Sequence, residues 1–354
     1  MKIRKLHIDH FKIFQNFDLD LTHHDQAQPL IVIAGINGSG KTTLLKEVIY
    51  NLSPNNPVYK VNKRNTVLVK DGSIEIEYNE QGKIKTRLIN ANNMFFSEAV
   101  IFYQPGFFDK KSFKRIIVEF IDHFIYEKDK KSSEAYRITQ ELLISIFQNF
   151  DLQIEFQGLD QQRNVLFRNA LSEKIKIEDL SSGEQELISR VFCLYLANIQ
   201  DSVILIDEPE SSLHPNWQNR IAAIYQDFAE KNNNQIILAT HSPHIVASVR
   251  KEQIRVLVKE NNTVRAIENF TGSYGWRVDK VLLEIFRVSG LRTTFIEEKL
   301  AQLRQRIFTD QYDSDEFKNA QTELEKILGY DDIDMALIRM EIAKRKKGNH
   351  AAHR

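Results

Sequence analysis

An apolar run, Leu30-Ile31-Val32-Ile33-Ala34, gives way to Gly35-Ile36-Asn37-Gly38-Ser39-Gly40-Lys41-Thr42, and apolar residues then return at helical spacing at Leu44, Leu45, Val48 and Ile49. This succession restricts the fold more than any other part of the chain. A continuous apolar run of strand length predicts a strand buried on both faces, the usual condition of a parallel sheet. The helix-spaced stretch ends before Ser53-Pro54. The order is therefore strand, loop, helix. The loop fits the pattern G-x-x-x-x-G-K-T, whose glycines let backbone N–H groups curl around phosphate oxygens while the helix N-terminus favours their negative charge. A plain glycine-rich turn would also join strand to helix, so the rest of the chain has to decide between the two.

Alternating residues predict strands at Lys2–Ile8 and Phe17–Leu21 and an antiparallel hairpin layer within Val58–Ile89, turning at Asn79-Glu80-Gln81-Gly82. Val100–Tyr103 reads as a further core strand, whereas Ser112–Tyr126 and Glu134–Phe150 carry helical spacing around the charged break Glu127–Lys131. Further on, helix is expected at Ser181–Leu196 and Asn216–Lys231. Buried strands are expected at Val203–Ile206 and Gln235–Ala239, with a closing pair at Ile254–Lys259 and Thr263–Ile267. Such alternation predicts an α/β fold with a parallel sheet covered on both faces. Beyond Trp276 the chain reads as helical, at Glu297–Ile307, Ser314–Leu328 and Asp334–Lys347. The expected domains are an N-terminal lobe (1–100), an inserted helical subdomain (101–178), a C-terminal lobe (179–270) and a helical C-terminal extension (271–354).

Within the loop, Asn37, Gly38, Ser39, Gly40, Lys41, Thr42 and Thr43 are the candidate phosphate contacts. Lys41 would reach the terminal phosphates and Thr42 would ligate Mg²⁺, which makes ATP with Mg²⁺ the expected ligand. Val203-Ile204-Leu205-Ile206-Asp207-Glu208 runs four aliphatic residues into two acids, the form of a Walker B strand. Asp207 would hold the metal shell and Glu208 would orient or deprotonate the attacking water. Leu180-Ser181-Ser182-Gly183-Glu184-Gln185 resembles the signature of ABC ATPases, L-S-G-G-Q, with serine at the third position and a glutamate inserted before glutamine. A helix N-cap is the plainer reading, and the two are compatible. Ser181, Ser182, Gly183 and Gln185 are its candidate nucleotide contacts.

His241, in Thr240-His241-Ser242-Pro243, stands where ABC proteins carry a switch histidine, and Gln104 is the candidate for their metal-sensing glutamine loop. Lys41, Glu208 and His241 form the candidate catalytic set; Thr42, Gln104 and Asp207 form the candidate metal set. Glu210-Ser211-Ser212-Leu213-His214-Pro215 lies where the D-loop of these proteins crosses a dimer interface, or is a loop capping the helix from Asn216, and Phe11, Lys12 and Phe14 are candidate adenine contacts or, equally, core and strand residues.

Taken in order, these motifs resemble the RecF/SMC/OLD-like branch of ABC ATPases, of the compact AAA15/AAA21 type. The resemblance implies an ABC-ATPase-like P-loop sandwich with an antiparallel β layer. It also implies a head-to-tail dimer, or a higher oligomer built from it, because a signature of this fold serves another copy's P-loop. Gly272–Asp279, Leu282–Phe286 and the helical tail look like the PtuA ATPases of Septu anti-phage systems. That likeness implies control of an HNH nuclease partner of the PtuB kind, or of another effector.

Composition narrows the alternatives. Lysine plus arginine equals aspartate plus glutamate at 48 each, so the whole chain has no bulk attraction for nucleic acid or an acidic membrane. No apolar run spans a bilayer and the N-terminus has no apolar leader core, so the expectation is a cytoplasmic protein with no membrane contact. The single cysteine, Cys193, has apolar flanks and reads as a core residue. A RecF-like repair ATPase remains an alternative: Lys110, Lys111, Lys114, Arg115, Lys128, Lys130 and Lys131 would form either a DNA-binding face or a solvated one. A self-contained OLD-type nuclease is the third reading. It needs acids on strand ends, whereas Asp313-Ser314-Asp315 lies at an expected helix start, so no intrinsic nuclease centre is expected.

Overall fold

The computed structural model describes residues 1–49, 73–89, 100–103, 110–148, 150, 152, 154–169, 171–196, 199–267 and 271–352. The chain forms two compact units, residues 1–281 and 282–354.

In the first unit, β1 (Lys2–Phe11) and β2 (Phe14–Asp20) form a hairpin, followed by the short pair β3 (Thr22–His23) and β4 (Gln26–Ala27). The apolar run is β5 (Leu30–Ala34), buried at every position. Helix α1 starts at Lys41–Thr43 and continues through 44–49 as wider π-helical turns, with Leu44, Leu45, Val48 and Ile49 buried. The expected hairpin is β6 (Ile74–Glu80) and β7 (Lys83–Ile89), joined to β1 in an antiparallel sheet of order β2-β1-β6-β7.

The second sheet carries the site. Its members are β5, β8 (Val100–Tyr103), β12 (Val203–Asp207), β13 (Gln235–Thr240), β14 (Ile254–Glu260) and β15 (Thr263–Ile267), in the order β15-β14-β5-β13-β12-β8. All neighbours are parallel except the closing β14–β15 hairpin. One face packs Ile31, Ile33, Leu205, Ile237 and Ala239 with α1 and the antiparallel sheet in a single core. Helix α5 (Pro215–Lys231) buries Ile221, Ala222, Tyr225 and Phe228 and contacts β5 and β13. Burial on both faces explains why β5, β12 and β13 are apolar throughout rather than alternating. Gln235, fully buried, ties the two sheets together: its side chain accepts from the Ile3 N–H at 2.7 Å and donates to the Ile3 carbonyl at 2.9 Å.

Between the sheets' strands in sequence lie α2 (Lys110–Asp122), α3 (Ser132–Phe147) and α4 (Ser182–Leu196). The expectation of a purely helical insert is corrected here. Three short antiparallel strands, β9 (Glu155–Leu159), β10 (Val165–Arg168) and β11 (Lys174–Lys176), follow α3. β9 and β10 have two buried positions each and β11 has none, too few for a period of two to stand out, and Phe156 and Phe167 meet edge to face only after pairing. Helix α6 (Pro243–Ser248) leaves the end of β13, capped by Ser242. Helix α7 (Val278–Glu284) spans the division between the two units. Among the described residues no helix is long and apolar enough to cross a membrane.

The second unit contains α8 (Thr294–Phe308), α9 (Asp315–Leu328) and α10 (Ile333–Ala352) around a core of Leu300, Leu303, Ile307, Phe317, Leu324, Met335 and Ile338. Arg292 pairs with Asp332 at 2.7 Å and Asp334 at 2.8 Å. Ser314 caps α9 by accepting the Phe317 N–H, so Asp313-Ser314-Asp315 does lie at a helix start. Phe317 is wholly buried in this small core. Phe317→Ala is expected to lower the unfolding free energy of this unit by about 3–5 kcal/mol, read as lost amide-exchange protection across residues 294–345; unchanged protection would contradict the packing described.

Candidate functional site

Parallel register brings the motifs to one edge. Ala34 of β5 lies beside Thr240 of β13, Ala239 beside Asp207 of β12, and Ile206 beside Tyr103 of β8. Four neighbouring strands thus end nearly level, and the chain leaving three of them carries the glycine loop, the two acids and His241. Ligands of open parallel sheets bind outside the carboxyl ends of the strands. Gln104 follows Tyr103 directly but lies outside the described residues.

The glycine loop is shaped by what surrounds it. Gly40 has φ +93°, and a Cβ there would lie 2.8 Å from Ile13 Cδ1 and 3.1 Å from Phe14 Cζ. At Gly35 it would lie 2.5 Å from Ser39 Oγ and 2.7 Å from the Leu257 carbonyl. Gly38 has φ +79° and stands open, with Asn37 exposed beside it. Lys41 is buried, and its ammonium donates to the carbonyls of Gly35 at 2.8 Å and Ile36 at 3.0 Å. Burial pushes this ammonium below the ordinary lysine value, opposed by the carboxylates of Glu210, Asp207 and Glu208 in that order. Thr42 is exposed and Thr43 half-buried. The candidate adenine contacts divide: Phe11 and Phe14 are core residues, Phe14 supporting the loop from below, while Lys12 is exposed and paired with Glu47. Their apolar character belongs to β1 and β2.

Asp207 ends β12 almost buried, and its Oδ1 has no hydrogen-bond partner. Burial raises its carboxyl above the usual range, against the Thr42 hydroxyl and then Lys46, whose ammonium is 3.8 Å from Oδ2. An unpartnered carboxylate oxygen next to a threonine hydroxyl is the donor set that Mg²⁺ accepts when phosphate and water complete its octahedron. No group of three or more His, Cys, Asp or Glu side chains able to hold a metal by themselves occurs among the described residues, so the fit is to a metal arriving with phosphate. Glu208 adopts φ +50°, a left-handed conformation that is strained for a non-glycine residue, and its N–H donates to the Ala239 carbonyl at 2.8 Å. Its half-exposed carboxylate lies 3.6 Å from His241 Nδ1.

The signature segment forms a capping box. Ser181 Oγ accepts the Glu184 N–H at 3.3 Å, and Glu184 accepts the Ser181 N–H at 2.8 Å. The glutamate that departs from the ABC pattern thus closes the start of α4. Gln185 turns back to donate to the Leu180 carbonyl at 2.6 Å, while Ser181 and Ser182 are exposed at the helix N-terminus. Gly183 faces the loop after β12: a Cβ there would lie 3.0 Å from the Ser212 carbonyl. A cleft of about 650 Å³ opens at this junction, lined by Ser181, Gly183, Ser212, His214 and Trp217.

Glu210 was not assigned a role from sequence. It is 5% exposed, and its Oε1 accepts the His241 peptide N–H at 2.8 Å and lies 3.2 Å from His241 Nδ1. An acid three residues past the strand carries no signal of this in the linear chain. On the inserted helices, Lys114 donates to Asn164 Oδ1, Arg115 lies 3.7 Å from Glu119, and Lys130 pairs with Glu134, the pattern of a solvated face; the side chains of Lys110 and Lys111 lie outside the described residues. The Cys193 side chain does so too.

Comparison with known proteins places similarity over much of the first unit. Residues 57–247 match the family model described as "AAA domain, putative AbiEii toxin, Type IV TA system", a span that contains the signature, both acids and His241 and begins after the glycine loop. The chain is 23% identical over 328 residues to the Septu protein PtuA of Bacillus mycoides (strain KBAB4), covering 80% of this chain and 44% of that one. It is 30% identical over 232 residues to the Retron Ec83 probable ATPase of Escherichia coli, covering 60% of this chain and 40% of that one. The chain spans about half the length of the curated relatives it matches. Among solved structures, the SMC head domain from Thermotoga maritima aligns with a TM-score of 0.48 at 14% identity, covering 77% of this chain and 100% of that one.

Because Asp207 is held in its neutral-favouring surroundings by burial, the folded state binds its proton more tightly than the unfolded chain does. Ionisation then costs stability as pH rises through the unfolded carboxyl value and up to the raised folded one, and the full cost persists above it. Asp207→Asn is therefore expected to raise the melting temperature of the protein at neutral pH. A lowered melting temperature would show that the carboxylate is compensated.

Proposed function

Because the chain belongs to the family described as "AAA domain, putative AbiEii toxin, Type IV TA system", we propose that it is an ABC-like ATPase that binds and hydrolyses ATP with Mg²⁺ and that its nucleotide state controls an effector partner. The observation that carries this reading is the gathering of Lys41, Asp207, Glu208 and His241 at the level ends of β5, β12 and β13. An ammonium, two carboxylates and an imidazole meet there, and Asp207 keeps a buried oxygen free.

Each residue then has one task. The loop N–H groups of 37–43 and the Lys41 ammonium bind and orient the phosphates, which is most of what phosphoryl transfer asks of a protein. Thr42 and Asp207 hold Mg²⁺, with Gln104 assigned to the same shell. Mg²⁺, when bound, neutralises charge on the phosphate oxygens. Glu208, half-exposed, orients the attacking water and takes its proton, and His241 contacts the terminal phosphate. Ser181, Ser182, Gly183 and Gln185 serve the phosphate loop of a second copy, so that ATP is closed between two chains head to tail.

The effector is proposed to be a nuclease of the HNH type, in an anti-phage role. Support comes from the likeness to Septu PtuA and retron ATPase proteins. Lys114 bonded to the Asn164 amide and Lys130 paired with Glu134 favour this over a DNA-repair clamp.

Lys41→Ala is expected to lose binding of a fluorescent ATP analogue. Glu208→Gln is expected to retain binding, to sediment as a nucleotide-trapped dimer and to lose turnover by about 10²–10⁴-fold. Equal phosphate release by the wild type and both variants would overturn the assignment.

A further inference from the structure

We propose that the outer face of α10 is a self-association surface, on which two copies of this chain pair antiparallel, α10 against α10. The proposal goes beyond the ATPase reading and does not rest on it. Ile333, Leu337 and Met340 recur at the 4-3 spacing of a coiled-coil seam, and Lys344 takes the next position of that seam. The opposite side of the helix holds the unit together: Met335 and Ile338 are buried, and Ile342 packs against the same core. The seam therefore faces solvent, and each of its three apolar side chains is more than half exposed. Phe308, at the end of α8 and 79% exposed, lines with Leu337 a groove of about 360 Å³ between α8 and α10. Single exposed apolar residues need no explanation, but a contiguous stripe beside a groove marks a surface that something covers.

Charge selects the occupant. The charged residues flanking the seam are satisfied within the unit: Asp334 accepts from Arg292 and Arg304, and Glu341 accepts from Arg345. What remains lies at the two ends. Asp331 is exposed just before the first turn of α10 and Lys344 is exposed three turns later, and neither has an ion-pair partner among the described residues. In a parallel pair each of these charges would meet its own copy. In an antiparallel pair Leu337 meets Met340 of the second copy, the aliphatic stem of Lys344 covers Ile333, and the ammonium at its tip reaches the end of the helix that carries Asp331. Opposed helix dipoles favour the same order. Every contact then occurs twice, once on each side of a two-fold axis, so that one helix supplies both halves of the complementarity. A seam this short covers less than the roughly 800 Å² per partner of a standard interface, so the pair is a weak and reversible one.

The experiment is sedimentation equilibrium of the full chain over about 1–100 µM, without nucleotide so that closure around ATP contributes nothing. Wild type is expected to be a reversible monomer–dimer system. Leu337→Asp is expected to weaken the dimer by about 100-fold, with an unchanged melting temperature because the side chain is already exposed. Lys344→Glu and Asp331→Lys are each expected to weaken it by about 3–10-fold, and the double variant to regain wild-type affinity, which only the antiparallel order allows. Wild type that stays monomeric at the highest concentration overturns the proposal and leaves the stripe to a different protein. A dimer indifferent to Leu337→Asp overturns it as well, as does a double variant no tighter than the single ones. If Leu337→Asp does not fold, Met340→Lys serves as the second reading, and an undiminished dimer there overturns the proposal. Loss of the ATPase assignment would leave all of these outcomes unchanged.

Discussion

Strands β5, β13 and β12 pair in parallel with Ala34 against Thr240 and Ala239 against Asp207, and each is buried on both faces. A slip of one residue would turn every side chain to the opposite face and move the ends of the strands out of line. The phosphate loop, the acidic pair and the histidine are far apart in the chain and have no contact except through this register. Gln235 reinforces it by hydrogen-bonding the backbone of Ile3 on the neighbouring sheet, so that the antiparallel layer and the parallel sheet cannot shift independently. Burying that amide is tolerable because both of its ends are satisfied.

The ends of these strands gather groups that a fold chosen for stability alone would avoid. Lys41, Asp207 and Glu210 are almost buried, Asp207 Oδ1 and Glu210 Oε2 lack partners, and Glu208 holds a left-handed backbone conformation worth about 1–3 kcal/mol of strain. Buried charges without full hydrogen bonding weaken a fold unless they compensate one another. Here burial depresses the lysine and raises Asp207, and the attraction between the lysine and the carboxylates offsets those shifts only in part. The surrounding core of apolar strands supplies the stability that this arrangement consumes.

Much of this was legible because the decisive signals are local. The apolar runs Leu30–Ala34 and Val203–Ile206 could only be buried strands, and a glycine loop before a helix has few other uses. The hairpin at Asn79–Gly82 announced the antiparallel layer. Strands β9, β10 and β11 were not legible, since three to five residues with at most two buried positions show no period, and their pairing depends on contacts such as Phe156 with Phe167. Glu210 was not legible for a different reason. Its partner is 31 residues away, and only the closure of β13 against β12 brings the two together. Phe11 and Phe14 stayed open between adenine contact and core because both roles use the same side chains, and both are buried.

The central claim is that one chain supplies half of a nucleotide site and a second copy supplies the other half: Lys41 and its loop from one, Ser182 and its helix from its partner. Co-expression of Lys41→Ala and Ser182→Arg chains tests it directly, because the two defects fall on opposite halves. Each variant alone should be inactive. Random pairing makes half of the dimers mixed, and each mixed dimer contains one intact site of two, so phosphate release should return to about one quarter of wild type. A mixture as inactive as its components would contradict a site shared between chains, as would a Ser182→Arg protein with undiminished turnover.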